Sequence, residues 1–116
     1  MCRPYQGSLT VLDGPGEEAS FSFTGRRYAI MVHRDTTTGI AEILLDGLSQ
    51  GTMDTFSTSV RHATYNWQRA VDGGPHTVTI RWTGTHNPSV YATGTAIYLD
   101  GIGVLENVIS STPQQV

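Results

Sequence analysis

The residues with chemistry beyond packing are the four histidines and the polar groups beside them: His33-Arg34-Asp35, His62, His76 and His86-Asn87. An imidazole near a carboxylate is the raw material of a metal site or of a general acid–base pair. No metal-binding signature spacing occurs, and Cys2, the single cysteine, cannot build a thiolate cluster. No metal and no cofactor is therefore expected. Nucleophilic hydrolysis lacks a G-x-S-x-G elbow and the strand-turn-helix unit that would present one. Asp46, Asp72 and Asp100 are explained by turns, where their carboxylates cap local backbone groups. His76, behind Gly74-Pro75, reads as a partner of such a turn. The expectation is a protein without catalytic residues.

A second chemistry suits the same region. A pyranose ring is recognised by a flat aromatic surface and by planar polar groups that engage two hydroxyls each. Tyr91 offers the first, and Arg34, Asp35, His86 and Asn87 offer the second; these five are the candidate ligand-binding residues. The segment T-H-N-P (85–88) also has plain turn chemistry, because a residue before proline favours extended backbone. Tyr65 and Trp67, two residues apart, would share one strand face as a stacking platform or as core. Trp82, in phase with Val78 and Ile80, reads as core, with alanine there costing about 3–5 kcal/mol.

What must position these residues is a set of short alternating segments. Val78, Ile80 and Trp82 alternate with Thr77, Thr79, Arg81 and Thr83, and Ala19, Phe21 and Phe23 alternate with Ser20, Ser22 and Thr24. Tyr28, Ile30 and Val32 form a third set, and Ala41, Ile43 and Leu45 a fourth. Ile97 and Leu99 are followed, after a kink, by Ile102 and Val104. Weaker segments lie at 9–12, 52–56 and 63–68. No stretch keeps helical periodicity over three turns, and 60–71 reads as strand plus turn. The sum is an all-β, antiparallel two-sheet sandwich of about eight strands. If successive strands run antiparallel, the connections at 25–27, 47–51 and 71–75 share one end of the sandwich. Those at 13–18, 33–39, 57–62 and 84–94 share the other. This second end collects His33, Arg34, Asp35, Arg61, His62, His86, Asn87 and Tyr91, and long polar loops on a rigid scaffold usually carry function.

Composition narrows the partners. The 116 residues make one domain, and 38% hydrophobic with 15% charged residues and 13 glycines fits a turn-rich β-protein. The seven basic side chains are all arginine, and a net charge of −3 offers no broad basic field for a phosphate backbone, so no nucleic-acid partner is expected. The given chain shows no signal-peptide core and no run near the roughly 20 apolar residues of a membrane span, so membrane insertion is not expected. The expected organisation is a frayed start at 1–7, a single sandwich at 8–109 and a linker-like tail, S-S-T-P-Q-Q-V, at 110–116.

Six segments in register carry a resemblance: F-S-F-T-G (21–25), G-I-A-E-I-L-L-D-G (39–47), T-M-D-T-F-S (52–57), G-P-H-T-V-T-I (74–80), T-G-T-H-N-P (83–88) and Y-L-D-G-I-G-V (98–104). In this order the chain resembles the galactose-binding-like jelly-roll sandwiches of bacterial extracellular proteins, a group that includes the family-6 and family-35 carbohydrate-binding modules. The resemblance implies a non-catalytic accessory module, extracellular or at the cell surface. It would bind polysaccharide or oligosaccharide through loops at one end, beside an attached catalytic domain. Two features depart from the pattern. The region before Ala19 is too short for a full copy of the usual first strand. A structural calcium would need paired acidic residues near the start; Asp100 matches its last-strand aspartate, but Glu17 and Glu18 are adjacent in a loop. The alternative reading is a structural or protein-interaction domain of a surface or phage-like protein, self-associating through an uncovered sheet edge.

Overall fold

The computed structural model describes residues 2–4 and 10–105, which form strands, turns and loops without a helix. Nine strands follow one another: β1 (Cys2–Pro4), β2 (Thr10–Leu12), β3 (Glu18–Thr24), β4 (Arg27–Arg34), β5 (Ile40–Leu45), β6 (Leu48–Asp54), β7 (Arg61–Ala70), β8 (Pro75–Thr85) and β9 (Ile97–Leu105). One sheet has the order β1-β9-β4-β7, with β2 also paired to β9; the other has the order β3-β8-β5-β6. Every named strand pairing is antiparallel. Pairing β2 with β9, β3 with β8, β4 with β7 and β5 with β6 describes one long hairpin rolled over itself. That is the jelly-roll arrangement of two facing sheets. The linker-like tail expected at 110–116 lies outside the described residues, as do most of the residues expected to be frayed.

The alternating segments face the core as their periodicity requires. Phe21 and Phe23 on β3, Tyr28, Ile30 and Val32 on β4, Ala41 and Ile43 on β5, Val78 and Ile80 on β8, and Ile97, Leu99 and Ile102 on β9 meet between the sheets. Trp67 is buried among them, and its Nε1–H donates to the hydroxyl of the fully buried Tyr28 at 3.1 Å, so each polar atom finds a partner inside the core. Tyr65 does not share that face. β7 carries an extra residue, Asn66, between the partners of Ile30 and Met31. The resulting bulge shifts the alternation by one and sends Tyr65 to the outer surface, where its hydroxyl lies over Gly103. Trp82 points inward as expected but sits at the margin of the core, partly buried. Its ring carries Gly84, where an added Cβ would stand 2.9 Å from the ring edge.

The β5–β6 turn is tighter than the sequence suggests. Leu45 pairs with Leu48, leaving only Asp46-Gly47 in the loop, with φ of 51° and 84°. Two positive φ values make a mirror-image turn whose twist matches the strands, so β6 starts at Leu48 rather than after Gly51. At this end His76 places Nδ1 at 2.7 Å from Asp46 Oδ2 and Nε2 at 2.7 Å from the Asp72 carbonyl. Both partners are acceptors, so the arrangement favours the doubly protonated, cationic imidazole, which can donate from both nitrogens. The Asp46 carboxylate and then the Asp72 carbonyl raise the pKa of His76 above its usual 6.5.

The place of the first strand is filled in two instalments. β2 pairs with Leu99, Tyr98 and Ile97, and β1 pairs with Leu105, Val104 and Gly103. Three residues suffice for each because the kink between Leu99 and Ile102 divides β9 into two short ladders. The region before Ala19, expected to be too short for a full first strand, thus covers β9 on both sides of its kink.

Candidate functional site

The turn-parity argument places the histidine-rich connections at one end, and the local structure there is unusual. His33 lies on β4 between two strands that both bulge at its level. On β9, Met31 pairs with Gly101 and Val32 with Leu99, so Asp100 is the extra residue. On β7, Val32 pairs with Thr64 and Arg34 with Arg61, which leaves His62 and Ala63 opposite His33. Ala63 takes a φ of 48°, a left-handed conformation that costs a non-glycine residue of order 1 kcal/mol or more. Bulges re-aim side chains. Here they open a hollow of about 470 Å³ on the outer face of the sheet, lined by His33, Asp35, His62, Ala63, Tyr98 and Asp100.

Three of these side chains form a line. His33 Nε2 is 2.7 Å from Asp35 Oδ2, and His33 Nδ1 is 3.1 Å from Nδ1 of His62. Because a carboxylate only accepts, His33 donates from Nε2; a neutral His33 then accepts at Nδ1 from His62. Tyr98 packs edge-on against His33, with ring centroids 5.7 Å apart. Partial burial pushes the Asp35 carboxyl up, but hydrogen bonds from the Thr37 hydroxyl, His33 and the Thr37 amide outweigh it and hold the group below its usual range. The hollow therefore presents a fixed anion, a polarised imidazole pair, an aromatic ring and the Asp100 carboxyl. Such a wall can donate to and accept from a hydroxyl-rich ligand.

The surrounding loops are locked. Thr38 and Thr55 are fully buried, with Thr38 donating to the Thr55 carbonyl at 2.7 Å and Thr55 to the Gly39 carbonyl at 2.6 Å. A Cβ on Gly39 would stand 2.6 Å from the Thr95 backbone, and one on Gly94 would collide with the Thr37 carbonyl. Glycine is required here for close approach of two backbone segments, and the resulting rigidity is what a binding site needs.

Of the five residues expected to bind ligand, only Asp35 lines this hollow. Arg34 is turned to the carbonyls of Phe56 at 2.8 Å and Thr55 at 3.4 Å, tying β4 to the segment after β6. Asn87 donates to Asp54 at 2.7 Å and accepts from the Ser89 amide at 2.8 Å, which is the turn chemistry its position suggested. His86 is exposed, with Nδ1 at 2.8 Å from the Asn87 carbonyl. Tyr91 is 66% exposed and lines a smaller hollow of about 280 Å³ with Thr36 and Thr58. All five share one end of the sandwich, but Arg34 and Asn87 hold the scaffold. Tyr98 and Asp100 were missed, the first counted as a strand residue and the second as a turn residue; the kink after Leu99 was their signal. Glu17 and Glu18 are occupied elsewhere. Glu17 accepts from the Asp13 amide at 2.7 Å and Glu18 from Arg81 at 3.3 Å.

Hollows of about 430 and 550 Å³ also lie at the opposite end, around Asp46 and His76. There both ring nitrogens of His76 are already engaged, which leaves the imidazole no free valence for a ligand.

No protein-family model matches the chain, and no curated protein matches it. Solved structures do. A xanthan lyase from Paenibacillus matches with a TM-score of 0.52 and 13% identity over 91% of this chain and 12% of that one. A two-domain esterase active on acetylated mannans, co-crystallised with mannopentaose, matches with a TM-score of 0.56 and 14% identity over 87% of this chain and 28% of that one. At such identities the likeness is one of fold. The chain is a two-sheet β-sandwich of the kind that forms a minor part of these larger carbohydrate-active proteins.

Proposed function

We propose that this domain is a non-catalytic accessory module that binds carbohydrate at the His33 end of the sandwich and works outside the cell beside a catalytic unit. The observation that carries the reading is the fold it shares with a fraction of two proteins that act on polysaccharides. The site geometry agrees with it. The hollow under Tyr98 has the mixture of ring surface and fixed hydrogen-bonding groups that sugar recognition uses. Tyr91 adds an exposed aromatic face at the rim, next to Thr36, which follows Asp35 in the chain. His86 is an exposed polar group of the rim, with Nδ1 on the Asn87 carbonyl, while Arg34 and Asn87 keep the rim in shape. A shallow site of this kind gives modest affinity.

The galactose-binding-like family remains part of this proposal, resting on the six segments quoted above. The alternative, an assembly domain pairing through an uncovered edge, would have to use an edge other than that of β9, along which β1 and β2 lie. Affinity electrophoresis against acetylated mannan, xanthan and a panel of plant, fungal and bacterial glycans tests the reading. Retardation by at least one glycan, abolished in Tyr98→Ala and weakened in Tyr91→Ala, is expected. Silence across the panel overturns it.

A further inference from the structure

Asp35, His33 and His62 stand as such groups stand around a metal ion. A ligating imidazole characteristically donates its other N–H to a carboxylate, which fixes the tautomer and turns the lone pair of the far nitrogen toward the ion. His33 is in that state: Nε2 is on Asp35 Oδ2 at 2.7 Å, and Asp35 is held in turn by the Thr37 amide at 2.7 Å and hydroxyl at 2.6 Å. The far nitrogen, Nδ1, faces Nδ1 of His62 at 3.1 Å. Two imidazole nitrogens bound to one zinc ion, each about 2.0–2.1 Å from it at the tetrahedral angle, stand about 3.3–3.4 Å apart. The pair is therefore a few tenths of an ångström from chelating distance. His62 needs only to carry its proton on Nε2, a transfer that water performs. The left-handed Ala63 and the bulge around it are what hold His62 opposite His33.

We propose that His33 Nδ1 and His62 Nδ1 chelate a late first-row divalent ion, Zn²⁺, Ni²⁺ or Cu²⁺, with Asp35 as the carboxylate behind His33. Imidazole donors select these ions over Ca²⁺ and Mg²⁺, which prefer oxygen. Among the described residues no three histidine, cysteine, aspartate or glutamate side chains gather closely enough to enclose an ion. The site is thus an open two-imidazole chelate. Its remaining positions face the hollow of about 470 Å³, where water or a ligand oxygen completes them. This assignment stands apart from the carbohydrate reading, because the imidazole pair would hold the ion with no sugar present.

The test is calorimetric titration of the tag-free full chain, stripped with chelator, with Ni²⁺, Cu²⁺, Zn²⁺, Mg²⁺ and Ca²⁺ chlorides, paired with thermal unfolding. One ion per chain is expected, tightest for Cu²⁺, with a rise in unfolding midpoint for the three late metals and none for Mg²⁺ or Ca²⁺. His62→Ala, at an exposed position that leaves folding intact, should abolish the response. Asp35→Asn should weaken binding about 10–100-fold. His76→Gln should bind as the native chain does. Absence of heat and of any midpoint shift at millimolar ion overturns the proposal. So does unchanged binding in His62→Ala, which would mark an adventitious ion. Glycan retardation repeated in chelator keeps the two readings separate: loss of metal binding with retained retardation removes the ion alone.

Discussion

His33 and His76 each hold a carboxylate at 2.7 Å, one at either end of the sandwich, and their side chains are similarly covered, at 21% and 15% exposure. Burial does not separate them; the second ring nitrogen does. In His76 it donates to the Asp72 carbonyl, which completes a closed, charged knot between the β5–β6 turn and the start of β8. In His33 it faces another imidazole beside an open hollow. A histidine with every valence answered by the chain is fastening the fold, whereas one with a valence left for a second titratable group is available to something else. The backbone agrees. Near His76 the positive φ values at Asp46 and Gly47 form a regular hairpin turn, while near His62 Ala63 bears an uncommon φ inside a strand.

This contrast can be attacked at four points, in order of decreasing expected effect. Gly39→Ala forces a Cβ into the Thr95 backbone at 2.6 Å and the Thr85 carbonyl at 2.7 Å. It should cost about 1–3 kcal/mol in urea unfolding and abolish glycan binding, yet leave the pH response of His76 in place. The His76 knot should come next. Its folded pKa is raised, so its stabilisation is full below pH 6.5 and fades as pH climbs through the higher folded value. Denaturation midpoints should therefore fall as pH is raised above 6.5 and through the higher folded pKa, and the fall should shrink in His76→Gln. Asp35 runs the other way. Its folded pKa is lowered, so its contribution is full above pH 3.8 and is lost as pH drops through the lower folded value. Acid unfolding of Asp35→Asn should lack that component. Smallest of all is His62→Ala, which should stay within about 0.5 kcal/mol of the native stability while removing metal binding. A stability loss in His62→Ala as large as that in Gly39→Ala would erase the distinction between the two ends.

Much of this layout is legible in the residue order. Strict alternation at Val78 and Ile80 announces a half-buried strand, and the change of phase between Leu99 and Ile102 announces the kink that the fold realises as a bulge at Asp100. Parity of the turns suffices to bring His33, His62 and His86 to one end. What alternation cannot carry is a single inserted residue. Asn66 moves Tyr65 to the opposite face from Trp67, and nothing in its type advertises that. The same blindness hid the site. Residues 62–63 oppose the one residue His33, so the distance between two imidazoles follows from a register slip rather than from spacing. Arg34 and Asn87 show the converse: their polar side chains suggested recognition, and the folded chain engages them with nearby carbonyls and Asp54, partners that residue type alone does not reveal.

The position of β9 has a further consequence for how the molecule comes into being. It lies inside its sheet, between β4 and the short strands β1 and β2, although among the described residues it is the last strand. A nascent polypeptide synthesised as far as Thr85 already owns all four members of the β3-β8-β5-β6 layer. The opposite layer must wait for β9 to leave the ribosome and for partners as distant in sequence as Leu12 and Ile97, or Cys2 and Leu105, to meet, a slow class of event. The hollow beside His33 is thus completed only when β9 has been made, and a product truncated before Ile97 would lack the Tyr98 and Asp100 that line it.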